Sequence, residues 1–241
     1  IQCLKSKYAS KENVFLLTDN EKIKEQIKSY DVKIIMTSEN HINGTERISS
    51  NLDKIPDNFK YIVNIQADEP FIESNNIDLA INKHISMMDS DADSSKLYYT
   101  TLHQESQDLD YIKNTASVKV ITDLNDNVIT YSRSVIPYNK KGIINKNLIY
   151  KLFTGIYVFN RNLLFNYSKL NDTPLQLEED VEQLKILEHG YKIMSFSTCV
   201  YNEISLNTED DYKYLINKYI EKKKKDKIKF VVFDLDGVFT D

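Results

Sequence analysis

The chain contains few glycines, and this scarcity excludes two common ways of binding a nucleotide. Among its 241 residues the glycines are Gly44, Gly142, Gly155, Gly190 and Gly237. Their spacing matches neither G-x-G-x-x-G, which a Rossmann dinucleotide site needs, nor G-x-x-x-x-G-K-[ST], the pattern of a P-loop. Because the chain has only four prolines as well, collagen-like and flexible-linker proteins are also excluded.

Cysteine and histidine are also scarce and the chain has no excess of positive charge, which narrows the choice of compartment and partner. Cys3 and Cys199 form no C-x-x-C pair, so we expect reduced thiols in a cytoplasmic protein. The four histidines form no H-E-x-x-H, so a zinc hydrolase is not expected. The net charge of −5 argues against a nucleic-acid partner. No apolar run approaches the roughly 18 residues of a membrane helix, so we expect no membrane partner.

The chain does contain short apolar runs that alternate with amphipathic stretches, a pattern typical of β-α-β units. Strands are predicted near residues 13–18, 32–36, 60–66, 96–102, 117–122, 127–131, 151–159 and 191–196. Helices are predicted near residues 20–29, 45–53, 75–87, 106–113, 161–169, 177–189 and 208–222. We therefore predict an α/β fold with a mainly parallel sheet and helices on both of its faces. The strands at 117–122 and 127–131 are predicted to form a hairpin.

The segment KYIVNIQADEPF at 60–71 is the first candidate for chemistry. A buried strand leads directly to Gln66, Asp68 and Glu69 and is stopped by Pro70. Open α/β sheets bind ligands at the carboxyl ends of their strands. Mg²⁺ takes one or two carboxylates together with phosphate oxygens, so Asp68 is a candidate metal ligand. The alternative is that Asp-Glu-Pro is an ordinary turn between a strand and a helix.

The segment TSENHINGTERI at 37–48 is a second candidate. Asn43-Gly44 is typical of a tight turn, and Thr45 can cap the helix that begins there. The segment is thus either a loop with a helix cap or a loop that faces a base or a phosphate. In the second case Thr45, Arg47 and backbone amides would supply the hydrogen-bond donors.

Two later segments carry polar side chains that suit a binding site. In YSRSVIPY at 131–138, the planar fork of Arg133 suits a carboxylate or a phosphate. LEEDVEQLKILEHG at 177–190 predicts one amphipathic helix, with Glu182 and Gln183 able to face a cleft. The residues predicted on its buried side are Leu177, Val181, Leu184, Ile186 and Leu187.

Together these segments resemble the 3-deoxy-D-manno-octulosonate cytidylyltransferase (CMP-Kdo synthetase) family. The matching strings, in family order across residues 10–220, are TDN at 18–20, HINGTERI at 41–48, VNIQADEPFI at 63–72, YSRSVIPY at 131–138, GIYVF at 155–159 and VEQLKILEHGYKI at 181–193. The resemblance implies the Rossmann-like nucleotide-diphosphosugar transferase fold. It also implies a reaction in which the anomeric hydroxyl of a 3-deoxy-2-ulosonic acid sugar, Kdo, attacks the α-phosphorus of CTP. Pyrophosphate leaves, and the CMP-sugar serves lipopolysaccharide or other cell-surface glycan synthesis.

The resemblance further implies roles for single residues. Asp68 would hold Mg²⁺ between the phosphate and the attacking hydroxyl, and Arg133 would face the sugar carboxylate. Gln66 would lie near the nucleotide or the sugar. The cytidine side would be lined by Asn43, Thr45 and Arg47, and the sugar pocket by Tyr157, Glu182 and Gln183. Family members often pair through the hairpin-bearing region, so a homodimer is expected.

The chain also departs from the family pattern. The family's basic, glycine-containing triphosphate loop has no counterpart in this sequence, so we expect residues 1–241 alone to be a poor catalyst. Where the family has a second metal-binding Asp, the chain has Asn207, whose neutral oxygen would hold Mg²⁺ more weakly. Phe153 replaces a family histidine and Asn43 replaces a family serine. These changes leave Kdo, an amino-substituted Kdo and a sialic acid open as the sugar.

The end of the chain predicts a change of domain. Residues 1–220 are predicted to be a cytidylyltransferase domain without its N-terminal strand and phosphate loop, and 221–229 a Lys-rich linker. FVVFDLDGVFTD at 230–241 resembles the first motif of haloacid-dehalogenase-like phosphatases, with Asp234 as nucleophile and Asp236 as its acid-base partner. The alternatives to a Kdo enzyme are an N-acylneuraminate cytidylyltransferase and a catalytically impaired module fused to a sugar-acid phosphatase.

Overall fold

The computed structural model of the protein describes residues 2–30, 32–90, 97–200 and 209–223. The strands in these residues are β1 (Phe15–Thr18), β2 (Lys33–Met36), β3 (Tyr61–Ile65), β4 (Leu97–Ser106), β5 (Lys119–Thr122), β6 (Val128–Ser132), β7 (Tyr150–Asn160) and β8 (Lys192–Ser197). The α-helices are α1 (Glu21–Ile27), α2 (Gly44–Ser49), α3 (Ser74–Ser90), α4 (Leu109–Lys113), α5 (Arg161–Tyr167), α6 (Pro174–Glu179), α7 (Glu182–Glu188) and α8 (Glu209–Lys223). Short 3-10 turns occupy Gln2–Lys5, Lys28–Tyr30 and Leu52–Lys54.

The strands form two sheets. β1 and β2 pair in parallel, and the other six described strands form one mixed sheet in the order β6-β5-β7-β4-β8, with β3 also paired to β7. Strands β3, β4, β5 and β8 point in one direction, and β7 runs opposite to β3, β4 and β5. The α/β class is confirmed, and so is the hairpin, because β5 and β6 pair antiparallel.

Apolar side chains cover both faces of the sheet, as the alternating pattern along β7 shows. Tyr157 and Phe159 belong to one buried cluster, while Ile156 and Val158 belong to the other. Successive side chains of a strand point to opposite faces, so each face of β7 contributes to its own core. The second cluster includes Ile77 of α3. The first cluster includes Leu164 of α5, so helices pack on both faces of the sheet as predicted.

β3 and β5 pair with the same edge of β7 and leave a gap between them. Gln66, just after β3, donates its backbone N–H to Gly155 at 3.0 Å, and Phe153 donates to Val118, just before β5, at 2.9 Å. β3 and β5 therefore lie end to end along the same edge of β7. Between them the chain leaves the sheet after β3 and returns at β5, which leaves a gap over the middle of β7.

The helix predicted over 177–189 is two helices, and that part of the prediction is wrong. Asp180 has a left-handed backbone with φ of 48°, which ends α6 and lets α7 begin at Glu182. Leu177 was expected on the buried side, but its α6 position leaves it 63% exposed. Val181 and Leu184 are buried as expected.

Several predictions for the end of the chain lie outside the described residues. Asn207 and the segment 230–241 are among them. Helix α8 continues to Lys223, so the first residues of the predicted linker at 221–229 are helical, and the rest of that linker is outside the description. Among the described residues no helix has the length and apolar character that crossing a membrane requires.

Candidate active site

A cavity of about 330 Å³ lies over the gap between β3 and β5. Its floor is the segment 152–155 of β7 together with Tyr157. Polar residues from separate parts of the chain line it, among them Asn43, Gln66, Asp68, Arg133, Tyr157, Glu182 and Gln183. Seven of the residues predicted from the sequence are thus brought to one cavity, at the carboxyl end of β3.

Asp68 lines the cavity, and one oxygen of its carboxylate is unsatisfied. Its Oδ1 atom is buried and has no hydrogen-bond partner among the described residues. Burial raises the pKa of the Asp68 carboxyl above its usual value, because loss of water disfavours the charged form. A buried carboxylate oxygen without a donor is a position that a cation would satisfy, so Asp68 fits the predicted ligand role.

The neighbouring Glu69 holds the turn after β3 against β7. It is buried, and the backbone N–H of Gly155 donates to its Oε1 at 3.2 Å. A Cβ atom at position 155 would lie 2.8 Å from Cγ of Glu69 and 3.2 Å from Cβ of Gln66. Glycine at 155 therefore lets the strand-to-helix turn after β3 pack directly on β7, which sets the position of Asp68.

Tyr157 is the centre of a hydrogen-bonded cluster beneath the cavity. Its hydroxyl accepts from Nε2 of Gln66 and from Nε2 of Gln183, each at 2.9 Å. The same two amides also lie 3.3 and 3.4 Å from Oε1 of Glu182. The amino groups of both glutamines therefore face Tyr157 and Glu182.

Glu182 joins this cluster to the start of α2. Its Oε2 accepts from the backbone N–H of Thr45 at 3.4 Å, and hydrogen bonds from the Thr45 side chain and from Tyr157 also favour its charged form. Burial outweighs these bonds and, together with the nearby Asp68 charge, raises the pKa of Glu182 to about 7. The site thus contains a carboxyl group that titrates near neutral pH.

Helix α2 begins in the segment 37–48 as predicted, but its cap lies earlier than expected, at Asn43 and not at Thr45. Asn43 is the N-cap: its Oδ1 accepts from the backbone N–H of Glu46 at 2.8 Å, and its Nδ2 donates to the hydroxyl of Tyr167 at 3.0 Å. Thr45 is buried and reaches the cavity through Glu182. Arg47, by contrast, is not among the residues that line the cavity.

Arg47 is directed toward the carboxyl ends of β1 and β2. Its Nη2 contacts Oδ2 of Asp19 at 2.6 Å, and its Nη1 donates to Oγ1 of Thr37 at 2.6 Å. The structure therefore separates Arg47 from Asn43 and Thr45, with which it was grouped from the sequence. Its predicted role on the cytidine side stays a prediction.

Arg133 also lines the cavity, and three donors of its guanidinium are engaged by backbone carbonyls. Nε donates to the carbonyl of Glu179 at 2.6 Å, Nη1 to the carbonyl of Thr115 at 3.0 Å, and Nη2 to the carbonyl of Asp180 at 2.7 Å. Nη2 also lies 3.5 Å from the exposed Asp180 carboxylate. Its predicted contact with a sugar carboxylate stays a prediction.

Sequence reasoning missed several residues at this wall. The loop 114–118 lines the cavity at Asn114, Ala116, Ser117 and Val118. Lys119 lies behind it, fully buried, and donates from Nζ to the carbonyls of Asn114 at 2.9 Å and Ser117 at 2.6 Å. Burial and the nearby Arg133 lower the pKa of Lys119 to about 8. A lysine within an apolar strand pattern was the available signal.

Phe153, on the cavity floor, and Asp211 of α8 also line the cavity. Phe153 stacks on Tyr157, with ring centroids 5.5 Å apart and an angle of 18° between the planes. Within the described ranges no group of three or more His, Cys, Asp or Glu side chains is arranged to hold a metal ion. A cation here would therefore need ligand oxygens besides that of Asp68.

Comparison with known sequences gives consistent matches. Residues 2–193 match the sequence profile of the family described as cytidylyltransferase. The 3-deoxy-manno-octulosonate cytidylyltransferase of Fusobacterium nucleatum subsp. nucleatum is 36% identical over 213 residues, which cover 88% of this chain and 82% of that protein. The protein of the same name from Protochlamydia amoebophila is 38% identical over 183 residues, covering 75% and 68% of the two chains.

A solved structure shares the fold. The CMP:2-keto-3-deoxy-manno-octonic acid synthetase complexed with CTP superposes with a TM-score of 0.77, covering 92% of this chain and 85% of that one. The two sequences are 24% identical over the match, so this likeness speaks for the fold alone.

Proposed function

The chain belongs to the cytidylyltransferase family, and we propose that it transfers CMP from CTP to the anomeric hydroxyl of Kdo and releases pyrophosphate. One observation carries the proposal: a single cavity holds both the unsatisfied carboxylate of Asp68 and the hydrogen-bonded cluster around Tyr157. The first suits a phosphate with its counter-ion, and the second suits a ligand rich in hydroxyl groups.

The reaction is an in-line displacement at phosphorus. The anomeric oxygen forms a bond to the α-phosphorus of CTP, the bond between that phosphorus and the bridging oxygen breaks, and the hydroxyl proton leaves to solvent. Such a displacement needs positioning and neutralisation of charge rather than a covalent protein nucleophile. Mg²⁺, held by Asp68 with phosphate oxygens, would supply that neutralisation when bound.

The protein's own groups then orient the sugar. Gln66 and Gln183 turn their amino groups toward Tyr157, which leaves their carbonyl oxygens to accept from sugar hydroxyls. Oε1 of Glu182 also accepts from the amino groups of both glutamines and so helps to hold their orientation. Asn43 places the start of α2 against the same cluster, where we propose that the cytidine side lies. Asn207 is proposed as a weak second metal ligand, outside the described residues.

Three wider predictions accompany this function. We propose a homodimer, supported by the exposed apolar side chains Ile129, Tyr138, Ile143 and Ile149 in and after the β5–β6 hairpin. The product would serve lipopolysaccharide or other cell-surface glycan synthesis. A cytoplasmic location is proposed from the two free cysteines, Cys3 and Cys199. Light scattering of the purified protein would test the dimer directly.

The test of the reaction is an assay of pyrophosphate release. The protein, expressed at the full length of its gene, is mixed with CTP and Mg²⁺ and with either Kdo or N-acetylneuraminate. Release that depends on Kdo and on CTP is expected. Release with N-acetylneuraminate alone would assign the sialic-acid alternative, and release with neither sugar would indicate a catalytically impaired module. Omission of Mg²⁺ tests the proposed cofactor.

A further inference from the structure

The turn between α6 and α7 is held by the end of β6 through four hydrogen bonds. Arg133 donates to the carbonyls of both Glu179 and Asp180. In return, the Glu179 carboxylate accepts from Oγ of Ser132 at 2.7 Å and from the backbone N–H of Arg133 at 2.8 Å. Side-chain and backbone groups at the end of β6 therefore form hydrogen bonds to the same turn.

This turn determines where two cavity residues lie. Asp180 has a left-handed backbone, a conformation that is uncommon for residues other than glycine, although Asp adopts it more readily than most. Glu182 and Gln183 follow two and three residues later, at the start of α7. A shift at Asp180 would therefore move both side chains relative to Tyr157.

Arg133 also holds the cavity-lining loop 114–118. Its Nη1 donates to the carbonyl of Thr115, while Lys119 donates to the carbonyls of Asn114 and Ser117. Two cationic side chains thus hold three carbonyls within four successive residues of the cavity-lining loop 114–117. The guanidinium of Arg133 joins this loop to the turn at 179–180.

The number of donors limits what else Arg133 can bind. A guanidinium has five N–H groups, and three of them donate to the carbonyls of Glu179, Thr115 and Asp180. A fourth, on Nη2, lies 3.5 Å from the exposed Asp180 carboxylate. A ligand carboxylate bound by two parallel donors would therefore have to use the remaining N–H of Nη1 and compete with Asp180 for that of Nη2.

We propose that Arg133 is a positioning residue, which joins the turn 179–180 to the loop 114–118 and thereby places Glu182 and Gln183 at the cavity. This inference rests on the proposed function only for its kinetic consequence. The structural consequence concerns the free protein and can be measured without substrates.

The structural test is hydrogen exchange of the full-length protein without ligands. In Arg133→Lys, a single amino group replaces the fork and cannot reach three carbonyls. Amide exchange in segments 114–118 and 179–184 should become faster by on the order of tenfold, as expected when a hydrogen-bonded turn loosens. Unchanged exchange in both segments would overturn the proposal, even if the protein had no transferase activity.

The kinetic test uses Glu179, which does not line the cavity but holds the same turn. Glu179→Ala should raise the KM for Kdo by about tenfold, since small displacements of binding groups are costly, and leave the KM for CTP unchanged. The double variant with Arg133→Ala should be no worse than Arg133→Ala alone, because both changes release one turn. A normal KM for Kdo in Glu179→Ala, or fully additive losses in the double variant, would contradict the proposal.

The matched control is Arg161, which grips backbone in the same way away from the cavity. Its guanidinium donates to the carbonyls of Leu52, Ile55 and Pro56 at 2.7, 2.8 and 3.0 Å. Arg161→Ala should lower the melting temperature and leave the KM for Kdo unchanged. If Arg161→Ala raised that KM as much as Glu179→Ala does, the effect would be general destabilisation and the proposal would be wrong.

Discussion

Glu69 packs against Gly155 so closely that a methyl group at position 155 would lie 2.8 Å from the Glu69 Cγ atom. The contact joins the turn after β3 to the middle of β7. Asp68 and Gln66 flank Glu69 in sequence, so this one contact sets the depth at which both enter the cavity. Neither partner can easily move, because Glu69 is buried and Gly155 belongs to a central strand.

The first prediction concerns Gly155. Gly155→Ala should lower the free energy of unfolding by about 1–3 kcal/mol, the usual cost of overpacking a close contact, and should abolish CMP transfer. The measurement is urea denaturation with a parallel activity assay. Gly44→Ala is the control, since its Cβ would meet only Asn64 Nδ2, at 3.6 Å, and stability should change little. Equal stability of wild type and Gly155→Ala would contradict the packing argument.

The second prediction compares two buried tyrosines. Tyr157→Phe removes the acceptor shared by Gln66 and Gln183, so it should destabilise the protein by about 1–2 kcal/mol and raise the KM for Kdo. Tyr98→Phe should be neutral or stabilising, because the buried Tyr98 hydroxyl has no hydrogen-bond partner among the described residues. Denaturation curves and kinetics of both variants decide it. Equal losses in both would show that the Tyr157 hydroxyl has no special role.

The third prediction concerns Asp68. Burial raises the pKa of its carboxyl, so at neutral pH the ionised group costs stability, and Asp68→Asn should raise the melting temperature without Mg²⁺. The same change should reduce CMP transfer by about 100-fold or more, as expected for loss of a metal ligand. Mg²⁺ with CTP should raise the melting temperature of the wild type only.

The control for Asp68 is Asp172, whose pKa is lowered by hydrogen bonds from Lys185 and Gln176. Its ionised form is therefore favoured by folding, and Asp172→Asn should lower the melting temperature slightly and keep activity. If Asp68→Asn behaved like Asp172→Asn in both respects, Asp68 would be a structural residue.

The fourth prediction is a pH dependence caused by Glu182. Burial raises its pKa from 4.5 to about 7, so the folded protein binds this proton more tightly than the unfolded chain does. Its contribution to stability is fully present below pH 4.5, is lost as the pH rises to about 7, and is constant above that. Subtracting the unfolding free energy of Glu182→Gln from that of the wild type should give a difference that decreases over this range.

The subtraction is needed because two buried histidines act in the opposite direction. Burial lowers the pKa values of His84 and His103 to about 4, so their effect on stability rises with pH from about 4 to 6.5 in both proteins. They cancel in the difference. A difference that stays flat from pH 4.5 to 7 would show that Glu182 is ionised throughout.

Local sequence was sufficient to predict the strands and the polar residues that follow β3. Apolar runs predicted each described strand, because a strand in a covered sheet must bury both of its faces, and β3 ended at Gln66 and Asp68 as expected. The sequence also predicted a capped helix start near residue 45, but with Thr45 as the cap, whereas the structure has Asn43 in that role. The break at Asp180 was missed, since nothing in the residue type requires a left-handed backbone there.

The sequence by itself determined which residues carry chemistry: an acid after β3, an arginine after β6, and two polar side chains at the start of α7. Only the tertiary structure decided what each of them does. In the folded chain Gln66 and Gln183 both donate to the hydroxyl of Tyr157, and Arg47 pairs with Asp19. Most donors of Arg133 bind backbone carbonyls. The physical reason is that hydrogen bonding depends on distance and direction between groups far apart in the chain, which local composition does not encode.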